Sequence, residues 1–146
     1  MSKIAGETKD CMVLRTSIIG EEQGQSRSLL EWARSQTGKE VNGYTNHFWN
    51  GVTTLYLAEI LELIINQNLF QNGLFHIHSP NTVNKFELLQ IFNRVYNLNY
   101  LKINPTEASE KADRSLASVF DLTQKVAKKT LDDQIQAMKV FFAAQK

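Results

Sequence analysis

The amino-acid sequence predicts an α/β fold in which helices dominate and the strands are few, short and mostly parallel. Apolar, β-branched runs such as residues 12–19 alternate along the chain with segments such as 83–96, whose apolar residues recur at helical spacing. The run at 12–19 also lacks the polar–apolar alternation of a half-exposed strand, which is typical of parallel strands covered on both faces. At 146 residues, the chain is one domain by length.

The elements of the first half are predicted from caps and breakers as much as from periodicity. Ser28 is a helix-capping residue before an apolar stretch, and Gly38 stops that helix because glycine tolerates a left-handed turn. In chain order we expect the last turns of a helix at 3–9, a buried strand at 12–19, a loop at 21–25, a helix at 29–36, a short strand at 40–44 and an aromatic loop at 45–51.

The second half is predicted to be richer in helix. The segment 55–65, capped by Thr53 or Thr54, is apolar around most of its circumference, so we expect it to be buried between layers. The predicted helix at 131–144 should direct four apolar side chains toward the core of the domain: Ile135, Met138, Phe141 and Phe142. The remaining predicted elements are a strand at 74–78, a helix at 83–96, a strand at 100–103, a loop at 106–113, and helices at 122–128 and 131–144.

The net charge, the single cysteine and the lack of long apolar runs argue against nucleic-acid-binding, disulfide-bonded and membrane proteins. Sixteen basic and fifteen acidic residues give a net charge of +1, which offers no electrostatic case for a nucleic-acid or membrane partner. Cys11 is the only cysteine, so no intrachain disulfide is expected, and its apolar surroundings favour a small buried hydrophobe. Because we find neither a signal peptide nor a membrane-length apolar run, we expect a cytoplasmic protein.

The sequence predicts neither a metal site nor a glycine-rich phosphate-binding loop. His76 and His78 share a strand face, but no third ligand is suitably spaced, so no metal site is predicted. The chain has no glycine-rich fingerprint of the dinucleotide or P-loop kind.

The first residues carry a short motif of their own. The run Ser2-Lys3-Ile4-Ala5-Gly6-Glu7 resembles S-K-x-x-G-E, the second half of the Tyr-x-x-x-Lys helix in extended short-chain dehydrogenase/reductases. Only Met1 and Ser2 precede Lys3, so the family's tyrosine position falls before the start of this sequence. The resemblance implies that Lys3 is a catalytic residue, one that bonds the nicotinamide ribose and lowers the pKa of the tyrosine. The alternative is a plain surface lysine.

Further segments resemble the dTDP-4-dehydrorhamnose reductase branch of that family and the related sugar epimerases. They share the order and rough spacing of its motifs: residues 14–20 with L-R-T-S-x-x-Y-G, residues 46–58 with D-Q-x-G-x-P-T and the D-L-A helix, residues 73–77 with G-x-Y-H-L, and residues 111–118 with A-x-R-P-x-x-S. The resemblance implies the C-terminal, helix-rich portion of a Rossmann-type enzyme. Residues 1–146 would form a single substrate-binding domain, and residues 1–20 would be the remnant of the Rossmann domain.

The resemblance also implies roles for residues beyond Lys3. Ser17 and Ile18 would face the nicotinamide. Thr16 would lie beside the substrate, and Arg114 would bind its diphosphate. The loop residues that would border the nucleotide-sugar pocket are Asn46, His47, Trp49 and Asn50.

Each of these residues also has a structural alternative. The hydroxyls of Thr16 and Ser17 could cap nearby backbone groups. Phe48 and Trp49 could be buried in the core, and Arg114 could pair with Asp113 or Glu110 at the surface.

We therefore expect the nucleotide-sugar-binding part of an NAD(P)-dependent reductase or epimerase, inactive alone. NAD or NADP would serve the parent enzyme, with neither bound tightly by this chain. The expected partners are a nucleotide-diphosphate sugar and a Rossmann half or homologous subunit. The alternatives are a non-enzymatic binding or regulatory module derived from that family, and a fragment of a longer gene. An uncovered docking face would favour self-association.

Overall fold

The computed structural model describes residues 10–22 and 28–145. Its helices are short to medium in length and its strands have at most five residues. The helices are α1 (Leu29–Ser35), α2 (Thr54–Asn66), α3 (Lys85–Tyr96), α4 (Leu122–Val126) and α5 (Leu131–Ala143). The strands are β1 (Met12–Thr16), β2 (Ile18–Ile19), β3 (Glu40–Tyr44), β4 (His47–Trp49), β5 (Val52–Thr53), β6 (Gly73–Ile77), β7 (Val83–Asn84), β8 (Lys102–Thr106) and β9 (Ala112–Asp113).

Helix starts follow the capping chemistry of the sequence. The side chains of Ser28 and Thr53 accept hydrogen bonds from the backbone N–H groups of Glu31 and Tyr56, and Thr130 does the same for α5. Gly38 has a φ of +80°, as predicted for the residue that turns the chain after α1.

The strands pair in small groups that are mostly parallel. β1 pairs with β6, β2 with β5, and β3 with β8, each in parallel. β4 is the middle strand of a three-stranded sheet, parallel to β9 and antiparallel to β7. The predicted class, a helix-rich α/β fold with short and mostly parallel strands, is confirmed.

Two clusters of buried apolar side chains hold these elements together. One joins α3 to α5 and α1, with Phe92, Leu131 and Met138 fully buried. The other joins α2 to β6 and α4 through residues such as Ile60 and Ile77. The first cluster includes Val83 of β7 and packs against Trp49 of β4, so it fixes the β4 sheet beside the start of α3.

Several predicted elements are wrong in their bounds or their burial. The run at 12–19 breaks at Ser17 into β1 and β2, because its two parts pair with different strands, and β1 is half-buried rather than buried. Strand β8 begins at Lys102 and runs through Pro105. Proline is tolerated there because, among the described residues, β8 pairs with β3 alone.

The loops at 45–51 and 106–113 contain the short strands β4 and β9, which form through pairing with distant segments. Helix α3 starts two residues later than predicted, because Asn84 caps it and forms a capping box with Glu87.

Helix α2 is not buried between layers. Tyr56, Ile60 and Ile64 are buried on one face, while the Leu61 side is open and Ile65 is 75% exposed. In α5, Ile135 and Met138 face the core as predicted, but Phe141 is 43% exposed.

Candidate functional site

A cavity of about 310 Å³ lies over the β4 sheet. Its walls come from β2, the start of α1, the start of α3 and the segment that follows β9. Ile18, His47, Trp49 and Arg114, all singled out in the sequence, line it together. The chain therefore brings four predicted site residues from three separate segments to one cavity.

Sheet register explains why these side chains meet. Trp49 lies across from Val83 on β7, and the Arg114 N–H donates to Phe48 O, which extends β9 beside Trp49. His47 lies across from Ala112 on β9. All three residues of β4, His47, Phe48 and Trp49, line the cavity, so this strand forms its floor.

Arg114 is an exposed cation without a carboxylate partner among the described residues. Its neighbour Asp113 is engaged elsewhere, since Oδ1 of Asp113 accepts hydrogen bonds from the Ser115 backbone N–H (2.9 Å) and hydroxyl (2.6 Å). These bonds lower the pKa of Asp113, so the carboxylate stays ionised and attached to Ser115. The surface salt bridge with Asp113 or Glu110 is not formed in this structure, which leaves the guanidinium available to a ligand.

The Thr16 hydroxyl bonds a neighbouring backbone group, whereas the Ser17 hydroxyl bonds a side chain distant in sequence. The Ser17 hydroxyl accepts a bond of 2.7 Å from the indole Nε1 of Trp49, and the Thr16 hydroxyl donates to Ser17 O at 3.4 Å. Neither residue is part of the cavity wall, whereas Ile18 is, with 53% of its surface exposed. In this structure Ser17 orients Trp49, and its contact with nicotinamide stays a prediction.

Asn46 and Asn50 fasten the segment that carries Arg114. Each amide side chain bonds both backbone groups of one residue: Asn46 bonds the N–H and C=O of Ala108, and Asn50 those of Leu116. His47 Nε2 lies 3.0 Å from Glu110 O in the same segment. Because both amides are used in this way, Asn46 and Asn50 support the cavity wall, and their contact with a substrate stays a prediction.

Lys85 is a cavity residue that sequence reasoning missed. It is the first residue of α3, and its ammonium lies 5.4 Å from the Tyr44 ring centroid and 5.8 Å from that of Trp32. A signal was present in the sequence, because a lysine at the first helical position faces the positive end of the helix dipole. A cation at this end of a helix is unfavourable without a nearby anion, which makes such a lysine a candidate for anion binding.

Three other predictions concern Lys3, a metal site and a membrane span. Lys3 lies outside the described residues, so its catalytic role stays a prediction. Within residues 10–22 and 28–145, no group of three or more His, Cys, Asp or Glu side chains could hold a metal ion. Within the same residues, no helix is long and apolar enough to cross a membrane.

Comparison with known proteins identifies the fold through solved structures. No family model matches the sequence, and no curated protein matches it. The dTDP-4-dehydrorhamnose reductase of Yersinia enterocolitica superposes with a TM-score of 0.68 at 14% identity, over 90% of this chain and 49% of that one. The Bacillus anthracis reductase, solved in complex with NADP, gives 0.65 at 12% identity, over 91% and 48%.

Sugar epimerases are similar as well. The UDP-glucose 4-epimerase of Thermotoga maritima, solved with UDP-glucose, gives a TM-score of 0.60 at 13% identity, over 92% of this chain and 46% of that one. The chain thus spans about half the length of the structures it matches. At this identity the comparison shows the fold: the chain folds like part of these Rossmann-type reductases and epimerases, which confirms the resemblance at that level.

Proposed function

We propose that the cavity over the β4 sheet binds a nucleotide-diphosphate sugar. The observation that carries this proposal is Arg114, a guanidinium without a carboxylate partner among the described residues, on the wall of a cavity whose floor is aromatic. A guanidinium bonds a diphosphate through paired donors, and the Trp49 ring offers a flat apolar surface to a base or a sugar. The known ligand of the similar epimerase, UDP-glucose, is a molecule of this class.

The parent reaction would be hydride transfer between a nicotinamide and a sugar-nucleotide carbonyl. The residues present do not fit a dinucleotide, because the glycines at 6, 20, 24, 38, 43, 51 and 73 nowhere provide the G-x-G-x-x-G spacing that lets a backbone approach a pyrophosphate. We therefore propose that this chain by itself binds the sugar nucleotide without turnover.

The test is a titration of the chain with UDP-, dTDP-, GDP- and CDP-sugars by calorimetry. We expect one nucleotide class to bind, and Arg114→Met to weaken that binding about 10- to 100-fold, because bonds to a charged group are lost while the aliphatic stem is kept. Arg94→Met is the matched control: Arg94 is exposed, pairs with Asp132 and lies outside the cavity.

The control should bind as the unaltered chain does, since exposed ion pairs contribute little. The proposal would be overturned if none of the four nucleotide classes bound the chain, or if Arg114→Met bound with unchanged affinity.

A non-enzymatic module remains the second candidate, favoured by the same lack of a dinucleotide-binding glycine pattern. A regulatory role would appear as a change in the turnover of a full-length reductase when the chain is added. Ligand binding with no such effect would count against it.

A further inference from the structure

We infer that Lys85 is a second anion-binding residue of the cavity, and that Lys85 and Arg114 hold one diphosphate between them from opposite sides of β4. This inference rests on the proposed function and adds a residue to it.

Strand pairing places Lys85 and Arg114 on either side of β4. Phe48 of β4 lies across from Asn84 on β7 and from Asp113 on β9. Lys85 and Arg114 are the next residues after these partners, one on each side of the middle strand. Lys85 begins α3 directly after β7, and the Arg114 N–H donates to Phe48 O, which continues β9 beside Trp49.

Because β4 separates β7 from β9 and neighbouring strands are about 4.8 Å apart, the two Cα positions are on the order of 10 Å apart. Two long cationic side chains can reach a single diphosphate from these positions. Both residues line the cavity, which agrees with this placement.

The charge of Lys85 is held in place but not neutralised. The Tyr44 and Trp32 rings lie 5.4 and 5.8 Å from the ammonium, a range in which an aromatic face attracts a cation. Among the described residues, Lys85 forms no ion pair. The nearby Glu87 carboxylate accepts a hydrogen bond from the Asn84 N–H. The ammonium therefore stays available to an anion.

The chain supplies a matched control just outside the cavity. Lys111 lies next to β9, and its ammonium is 5.6 Å from the ring centroid of Phe48, a cavity residue. Lys111 itself does not line the cavity. Lys111 and Lys85 thus share residue type, charge and an aromatic neighbour, and differ in that Lys85 lines the cavity.

The experiment measures the affinity of the full chain for UDP-glucose, dTDP-glucose and inorganic pyrophosphate by calorimetry. We expect Lys85→Met to weaken binding of pyrophosphate and of at least one of the two sugar nucleotides about tenfold, which corresponds to one lost charge-assisted bond. Lys85→Arg should keep most of the affinity, and Lys111→Met should bind as the unaltered chain does. Circular dichroism of each variant reports whether it is folded.

The outcomes separate this inference from the proposed function. If Arg114→Met loses affinity while a folded Lys85→Met binds as the unaltered chain does, the inference is overturned and the proposed function stands. If equal losses occur in Lys85→Met and Lys111→Met, the effect is one of general charge and the inference is overturned. If no probe, pyrophosphate included, binds the unaltered chain, the inference is overturned, and the titration with all four nucleotide classes decides the proposed function.

Discussion

At the scale of single residues, the position of Trp49 depends on the absence of a side chain at Gly51. A Cβ at Gly51 would lie 2.1 Å from Ser17 O and 2.2 Å from the Trp49 ring. The chain can pass between Ser17 and Trp49 only because this residue is glycine. The backbone at Gly51 therefore packs directly against the Trp49 indole and holds it in place on the cavity floor.

We expect Gly51→Ala to lower the free energy of unfolding by about 1–3 kcal/mol, because the added methyl group forces the ring or the strand to move. It should also shift the fluorescence of Trp49 and weaken binding in the cavity. Gly38→Ala is the control: its positive φ makes alanine strained, but a Cβ there meets nothing within 4 Å. That variant should lose stability without altering Trp49 emission, and unchanged emission of Gly51→Ala would contradict the role given to Gly51.

The sequence predicted part of this site because residue types carry chemical information. Arg114, Trp49 and His47 were named from their motifs, and the structure brings them to one cavity with Ile18. Lys85 was missed because its place in the cavity depends on the pairing of β7 with β4, which joins residues far apart in the chain. The hydrogen bonds between Asn50 and the Leu116 backbone could not be predicted for the same reason.

At the scale of elements, α2 shows how a helix with apolar residues nearly all round still has one buried face. Ile64 and Ile65 are adjacent in sequence, yet Ile64 is 4% exposed and Ile65 75% exposed. Ile64 belongs to the cluster with Ile60 and Phe75, whereas Ile65 projects away from it. The direction that each side chain takes around the helix decides what it contributes to stability.

This neighbouring pair gives a prediction with an internal control. We expect Ile64→Ala to lower the free energy of unfolding by about 2–5 kcal/mol, through lost burial and the cavity left behind. Ile65→Ala should change it by at most about 0.5 kcal/mol, because surface substitutions remove few contacts. Chemical denaturation of both variants measures the difference, and similar losses for the two would show that α2 is covered on both sides.

Helices were predictable from this sequence and the shortest strands were not. Ser28, Thr53 and Thr130 cap their helices locally, so the signal lies within a few residues of each start. Strands β4 and β9 have three and two residues, too few to show any periodicity, and they exist through pairing with each other and with β7. Pairing over such distances is a property of the fold rather than of the segment.

At the scale of the whole molecule, the distribution of apolar surface points to association. Large hydrophobic side chains stay open to solvent in several elements: Ile18 at 53%, Ile65 at 75%, Phe70 at 63% and Val119 at 92% exposure. Open apolar residues favour contact with another chain.

We therefore expect the purified chain to self-associate as its concentration rises, as measured by sedimentation velocity. Ile65→Lys combined with Val119→Lys should shift the population toward monomer, because it places two charges on the exposed apolar surface. Gln67→Lys with Ala117→Lys adds the same number of lysines at neighbouring exposed positions without removing a large apolar side chain, so it should associate more than the first pair. A stable monomer of the unaltered chain at all concentrations would mean that these apolar residues are too scattered to form an interface.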